Sequence, residues 1–334
     1  MLLSSLFAVF ERLDRGESIL LGDEQDVDFP QGGPWIGVRS SGSTGVPKWV
    51  WRRWSDLKAE VRPTTGATGW RWASPFQAQS FAGVQVALQA WATGGEVVSI
   101  DSQWDHVWDL AQREPWQALS CTPTYLDLLL QNQPTGLSPL DPLQITLGGE
   151  VLRPICGVRF ATRFPRARFT VIYAAAEWGV LLKTHRLDGW YEVDSLDRRR
   201  SKWRIEQGIL ELLDVFGVWQ STGDGIERDG DRVRILGRAD RVVNVAGTKV
   251  HLDEIGRMAE LVPGVRRALA LAEPNAITGQ IIVLHYSPES GIDPRALEAV
   301  LAGTLRNQLP KPAWPRRWIL DNLPPEKNAK RRVS

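Results

Sequence analysis

Four short runs rich in apolar and β-branched residues, Val97–Ile100, Ala118–Cys121, Ile145–Leu147 and Phe169–Tyr173, are separated by stretches of helical character such as Tyr125–Leu130. Strands that alternate with helices in this way build βαβ units, which implies a mainly parallel sheet. Ligands of such sheets bind beyond the carboxyl ends of the strands. The texture changes from Gly208. Ile209–Leu212 and Val233–Leu236 read as strands joined by short turns. Val242–Val245 and Lys249–Leu252 then flank Ala246-Gly247-Thr248, a hairpin signal. Asp253 and Glu254 open a helix that Pro263-Gly264 stops, with acids where the helix dipole favours them. Strands at Ala268–Leu271 and Gln280–His285, a helix from Pro294 to Leu309 and a strand at Trp318–Leu320 complete the pattern. The expected fold is α/β: a large N-terminal domain, 1–239, built on a mainly parallel sheet, and a small α+β C-terminal lid, 240–334.

The bulk numbers fit a globular protein that buries a core. The chain has 334 residues, 43% hydrophobic and 24% charged. A formal net charge of +1 argues against a dedicated nucleic-acid binder. Two cysteines, Cys121 and Cys156, cannot form a disulfide framework or a four-cysteine metal site, so a cytoplasmic location is expected. The apolar N-terminal run, MLLSSLFAVFERLDR, is too short to span a bilayer and reads as an amphipathic helix. The four histidines, His106, His185, His251 and His285, show no metal-ligand spacing. The 16 tryptophans stand out, many of them close to basic residues, which fits packing of cations on aromatic faces.

One stretch carries chemistry: Ser40-Ser41-Gly42-Ser43-Thr44-Gly45-Val46-Pro47-Lys48. Its glycines permit a tight curve with positive φ, and successive amides in such a curve form a nest for an anion. The hydroxyls add donors and Lys48 a positive charge. This is the chemistry of a loop that holds a polyphosphate. The ordinary P-loop pattern fails, because Pro47 stands in place of the second glycine and Trp49 in place of the hydroxyl that binds Mg²⁺.

Further segments follow in order: Gly148-Gly149-Glu150, Tyr173-Ala174-Ala175-Ala176-Glu177, Ser221-Thr222-Gly223-Asp224, Gly237-Arg238-Ala239-Asp240, Ala246-Gly247-Thr248-Lys249-Val250 and Leu323–Arg332. With the Ser40–Lys48 run, this series resembles the adenylate-forming superfamily, and most closely the short acyl- and aryl-CoA synthetases of the o-succinylbenzoate–CoA ligase kind. By that resemblance Ser40, Ser41, Gly42, Ser43, Thr44, Gly45 and Lys48 bind the phosphates of ATP. Gly149, Glu150, Tyr173 and Ala174 line the adenine. Asp224 accepts from the ribose hydroxyls, and Arg238 binds ribose or phosphate. Glu177 and Thr44 hold Mg²⁺. Asp240 marks a hinge, while Gly247 and Lys249 line a thioester tunnel. Lys330, with Lys327 as fallback, neutralises charge on the carboxylate and α-phosphate.

The resemblance implies an ATP-dependent ligase that makes an acyl- or aryl-adenylate from a small carboxylic acid and then a thioester with CoA. Its cofactors are ATP, Mg²⁺ and CoA. Two alternatives stay open: an enzyme that loads a phosphopantetheinyl carrier protein, and a degenerate nucleotide-binding protein without turnover. No nucleic-acid partner and no membrane span are expected. The sequence departs from the family pattern at several points. Only a short stretch precedes the phosphate loop. Ala174 stands for a glycine, Ala176 for a threonine, Ser80 for a gate histidine and Asn244 for a lysine. The cluster Arg198-Arg199-Arg200-Ser201-Lys202 fits CoA phosphates, an acidic carrier or plain solvent.

Overall fold

Apolar spacing places the first helix. Leu6, Phe10 and Leu13 recur on one face of α1 (Leu6–Asp14), and all three are buried. The computed structural model describes residues 2–22, 28–40, 48–61, 66–101, 103–197, 202–214, 216–260, 262–289 and 291–321. The chain divides into two compact units, Met1–Leu152 with Arg159–Leu187, and Arg153–Val158 with Asp188–Ser334.

In the first unit, β1 (Ile19–Leu20), β2 (Trp35–Ser40) and β3 (Lys48–Arg53) form a small sheet, with β2 and β3 antiparallel. After α2 (Trp54–Glu60) come β4 (Arg71–Ser74), α3 (Phe81–Ala92), β5 (Glu96–Ser99), α4 (Trp104–Arg113), β6 (Ala118–Cys121), α5 (Pro123–Gln131), β7 (Gln144–Gly148), α6 (Pro154–Arg163), β8 (Arg168–Ala175) and β9 (Gly179–Thr184). The resulting six-stranded sheet has the order β5-β4-β6-β7-β8-β9. Its pairings are parallel as expected, except that β9 turns back antiparallel on β8. The apolar N-terminal segment finds its place against this unit's core. Phe10 stacks on Trp54 at 5.3 Å, and Trp91 meets Phe10 edge-on at 5.8 Å.

In the second unit, β10 (Trp190–Glu192), α7 (Asp194–Asp197), β11 (Trp203–Glu206), β12 (Ile209–Leu213), β13 (Trp219–Asp229) and β14 (Arg232–Arg238) follow one another. Their five strands form a wholly antiparallel sheet ordered β10-β14-β13-β12-β11. The reason is local. Tight turns at Gly208 and Gly230, both at positive φ, join neighbouring strands, and connections that short permit only antiparallel pairing. A 3-10 turn, Ala239–Arg241, leads into β15 (Val242–Val245) and β16 (Thr248–His251), the expected hairpin. Next come α8 (Leu252–Glu260), β17 (Val265–Asn275), β18 (Gly279–Pro288), α9 (Pro294–Gln308) and β19 (Pro315–Leu320). Strands β17, β18 and β19 form a sheet whose core takes Ile255, Ala259, Ile282, Leu284, Leu301 and Leu305.

The expected pairing of cations with tryptophan rings occurs in both units. Lys58 lies 5.2 Å from the centre of Trp54, and Arg204 lies 4.5 Å from that of Trp219. Among the described residues no helix is long and apolar enough to cross a membrane.

Candidate active site

Strand order locates a crevice in the first unit. The chain runs from β4 outward to β5, then returns to lay β6 on the other side of β4. A sheet whose connections reverse in this way opens a cleft at the carboxyl ends of the two strands where the reversal occurs. Here those ends lead into Ser74–Phe76 and Cys121–Pro123. Gly149, at φ +80°, faces the same region: a Cβ added to it would lie 3.5 Å from Thr122 Cγ2 and 3.9 Å from Phe76 Cε1. Thr122 caps α5 by accepting from the Tyr125 N–H at 3.1 Å, and Glu150 Oε2 accepts from the Thr124 N–H at 3.2 Å. Gly149 and Glu150, named from sequence, therefore converge with Phe76, Thr122 and Thr124. Burial and, after it, the carboxylate of Glu150 push the Cys121 thiol up, and its side chain is part of the core.

Tyr173 and Ala174 lie within β8, near its end. Tyr173 pairs with Leu182 and Ala174 with Val180, with a register shift between them. The shift aims the following turn, which is a common use of such irregularities. Ala174 and Ala176 pack against the core of the first unit, which accounts for methyl groups where the family pattern has a glycine and a hydroxyl. Glu177 sits exposed in the turn between β8 and β9. Beneath that turn lies Arg52, a buried residue that no sequence motif marks.

Ser40 and Lys48 are register partners at the ends of β2 and β3. The intervening Ser41, Gly42, Ser43, Thr44 and Gly45 lie outside the described residues, as do Arg198–Ser201, Lys327 and Lys330.

The second unit brings its own group together. Asp224 on β13 pairs in register with Arg238 on β14. Arg238 Nη1 donates to Asp224 Oδ1 at 3.3 Å and to the Thr222 carbonyl at 3.0 Å. Its Nε lies 3.9 Å from Asp240 Oδ1. Gly223, at φ +73°, leaves room for the guanidinium, since a Cβ there would stand 2.5 Å from Arg238 Nη2. Asp240 is exposed in the 3-10 turn. Lys249 is exposed on β16, and Gly247 takes φ +83° at the hairpin tip beside Ala246, itself at φ +50°. The Ala246 N–H donates to the Thr278 carbonyl at 3.0 Å, fixing that tip on the β17–β18 turn.

The donor chemistry fits the expected ligands. No group of three or more His, Cys, Asp or Glu gathers as a metal site among the described residues. Mg²⁺ carried by a polyphosphate needs only one or two carboxylates from the protein, and exposed Glu177 offers one. Asp224 is an acceptor suited to a vicinal diol, and Arg238 a cation suited to ribose or phosphate oxygens.

Residues 39–202 match the family described as AMP-binding enzyme. Over 134 residues, 39% of this chain and 20% of the relative, the sequence is 29% identical to an acetyl-coenzyme A synthetase of Penicillium chrysogenum. Over 95 residues, 28% of this chain and 18% of the relative, it is 33% identical to the fatty acid–[acyl-carrier-protein] ligase MmaC of Mycobacterium marinum. The match thus spans about a fifth of each relative's length. The amide bond synthetase McbA from Marinactinospora thermotolerans has the same fold, with a TM-score of 0.71 and 20% identity over 98% of this chain and 78% of that one.

Proposed function

We propose that this chain, whose residues 39–202 match the family described as AMP-binding enzyme, uses ATP to activate a small carboxylic acid and passes the acyl or aryl group to the thiol of coenzyme A. In the first step a carboxylate oxygen attacks the α-phosphorus and pyrophosphate leaves. In the second the thiol attacks the carbonyl carbon, loses its proton and expels AMP.

The family match over residues 39–202 carries this reading. Within it, Ser40–Gly45 and Lys48 grip the polyphosphate. Gly149, Glu150, Tyr173 and Ala174 receive the adenine, Asp224 the ribose, and Arg238 the ribose or phosphate. Glu177, with Thr44, holds Mg²⁺, which when bound neutralises charge on the phosphate oxygens. Residues 240–334 act as a lid that turns about Asp240, bringing Lys330 to the carboxylate in the first step and the Gly247–Lys249 hairpin to the thiol arm in the second. A location in the cytoplasm accords with this substrate set.

ATP–pyrophosphate exchange with a panel of carboxylic acids tests the proposal. Exchange with at least one acid is expected, and folded protein that exchanges with none would overturn it. The match to MmaC favours a second acceptor, a phosphopantetheinyl carrier protein. Offering free CoA and a loaded carrier side by side to the adenylate-charged enzyme separates the two acceptors. ATP binding without exchange would identify the chain as a nucleotide-binding protein without turnover.

A further inference from the structure

Arg52 is a buried cation on β3, with 8% of its surface exposed. Its guanidinium joins separate parts of the first unit. Nη1 donates to the Ala176 carbonyl at 3.1 Å, Nη2 donates to Glu60 Oε1 at 2.7 Å, and the group lies 5.2 Å from the centre of the Phe81 ring. Glu60, at the end of α2, is held in turn by Gln85 of α3, whose Nε2 donates to Oε2 at 3.0 Å. The β8–β9 turn rests directly on the pair. Gly179 sits so close at φ +75° that a Cβ there would stand 2.5 Å from Glu60 Oε1 and 2.9 Å from Arg52 Nη2.

An ion pair with a buried cation and a half-buried carboxylate is a weak source of stability compared with apolar packing of the same volume. What this pair supplies is geometry. It fixes the carbonyl immediately before Glu177 and leaves no room for the turn to shift toward the core. The Trp178 N–H, bonded to the Ala175 carbonyl at 3.1 Å, closes the same turn. We propose that Arg52, held by Glu60 and Gln85, is a positioning residue that sets the β8–β9 turn and so the direction in which Glu177 is presented. The role rests on the reading of Glu177 as the residue that meets the Mg²⁺ of the nucleotide. Strand β3 itself begins at Lys48, so one strand leads from the end of the phosphate-loop segment to the support of this turn.

The test uses the full chain as wild type, Arg52→Met, Glu177→Gln, the double variant and Arg52→Lys. Hydrogen–deuterium exchange of the ligand-free proteins is the first readout. In Arg52→Met the amides of Trp178 and Gly179 are expected to exchange about tenfold faster or more while those of β7 keep their protection. Arg52→Lys, which retains the charge without the fork, should lie between the two. The second readout is pyrophosphate exchange against Mg²⁺ concentration. Arg52→Met should need about fivefold more Mg²⁺ for half-maximal rate, and the double variant should match Glu177→Gln within about twofold. Unchanged protection at Trp178 and Gly179, equal acceleration across the whole unit, or rate losses that multiply would each overturn the proposal. If the wild type exchanges with no acid, the functional reading fails, and the deuterium experiment still decides the role of Arg52 in the turn. If Arg52→Met does not fold, Glu60→Gln carries the same expectation at the same amides.

Discussion

Arg238 reaches back across the β13–β14 pair to hold both ends of one short motif, the Asp224 carboxylate at 3.3 Å and the Thr222 carbonyl at 3.0 Å. Arg238 therefore has two possible consequences for a nucleotide: direct contact, and orientation of Asp224. Arg238→Met should weaken ATP binding roughly tenfold to a hundredfold, the equivalent of one charge-assisted hydrogen bond of about 1.5–3 kcal/mol. Arg238→Lys should recover only part of that, because a compact, strongly hydrated ammonium lacks the rigid planar geometry that brings Nη1 to both oxygens. Titration calorimetry with ATP measures both, and an unchanged Kd in Arg238→Met would remove Arg238 from the site.

Gly223 makes a related prediction on backbone grounds. A side chain at φ +73° costs about 1–2 kcal/mol, and here it also collides with the Arg238 guanidinium. Gly223→Ala should lose stability of that order in urea unfolding and lose ATP affinity as well. Gly230→Ala is the control. Its φ is +57° but nothing lies within 4 Å of an added Cβ, so the stability loss should come without a change in affinity.

Glu260 on α8 is buried, and Oε2 accepts from Arg153 Nη1 at 2.7 Å while Oε1 accepts from the Ala268 N–H at 3.0 Å. Glu260→Ala should cost about 3–5 kcal/mol in urea unfolding, because it takes the carboxylate from a buried guanidinium and the acceptor from a buried amide. Glu260→Gln should cost clearly less, since its carbonyl still accepts from Ala268.

A pH dependence follows from Asp14. The Lys58 ammonium, 2.6 Å away, and the Trp54 indole N–H, at 2.8 Å, hold its carboxyl below the ordinary value of 3.8. A carboxyl lowered on folding contributes stability above its unfolded pKa and loses that contribution as the pH falls through the folded value. The stability gap between wild type and Asp14→Asn should hold steady from about pH 7 down to about pH 5 and close below about pH 4. The pair is half-exposed, so the gap itself should be under about 1 kcal/mol. Urea midpoints across that range measure it.

Lys330 was named from motif resemblance. If it neutralises charge at the α-phosphate, Lys330→Ala should slow pyrophosphate exchange by on the order of 10²–10³, as loss of a preorganised charge-stabilising group does. Lys327→Ala should leave the rate nearly intact, and the reverse pattern would move the role to Lys327.

Much of the fold was legible because it depends on local pattern. The run Phe169–Tyr173 marks β8, the Ala246-Gly247 turn marks the β15–β16 hairpin, and Pro294 opens α9 as expected. The return of β9 against β8 was not legible. It depends on pairing between Gly179–Thr184 and a strand already satisfied on its other edge, and nothing in the run GVLLKT distinguishes that partner from another. The candidate site divides in the same way. Asp224 and Arg238 stand out by motif, but their pairing emerges only when the register of two long strands is known. Arg52 had no signal at all. It contacts Ala176, a residue 124 positions away, and one more arginine in a basic stretch reads as surface.

The turn carrying Asp240 is fastened unevenly. On its far side Arg241 Nε meets Asp253 Oδ1 at 3.0 Å and Arg241 Nη2 donates to the Ala270 carbonyl at 2.9 Å, which makes Arg241, the start of α8 and β17 a single block. On its near side that block touches β14 through Arg257 Nη1 on the Leu236 carbonyl at 2.8 Å and Glu254 near Arg234 at 3.6 Å. Any swivel at this point is therefore confined to the two or three peptide links ahead of Arg241. It must release the grips on Leu236 and Arg234 and also part Glu260 from Arg153, which lie 2.7 Å apart.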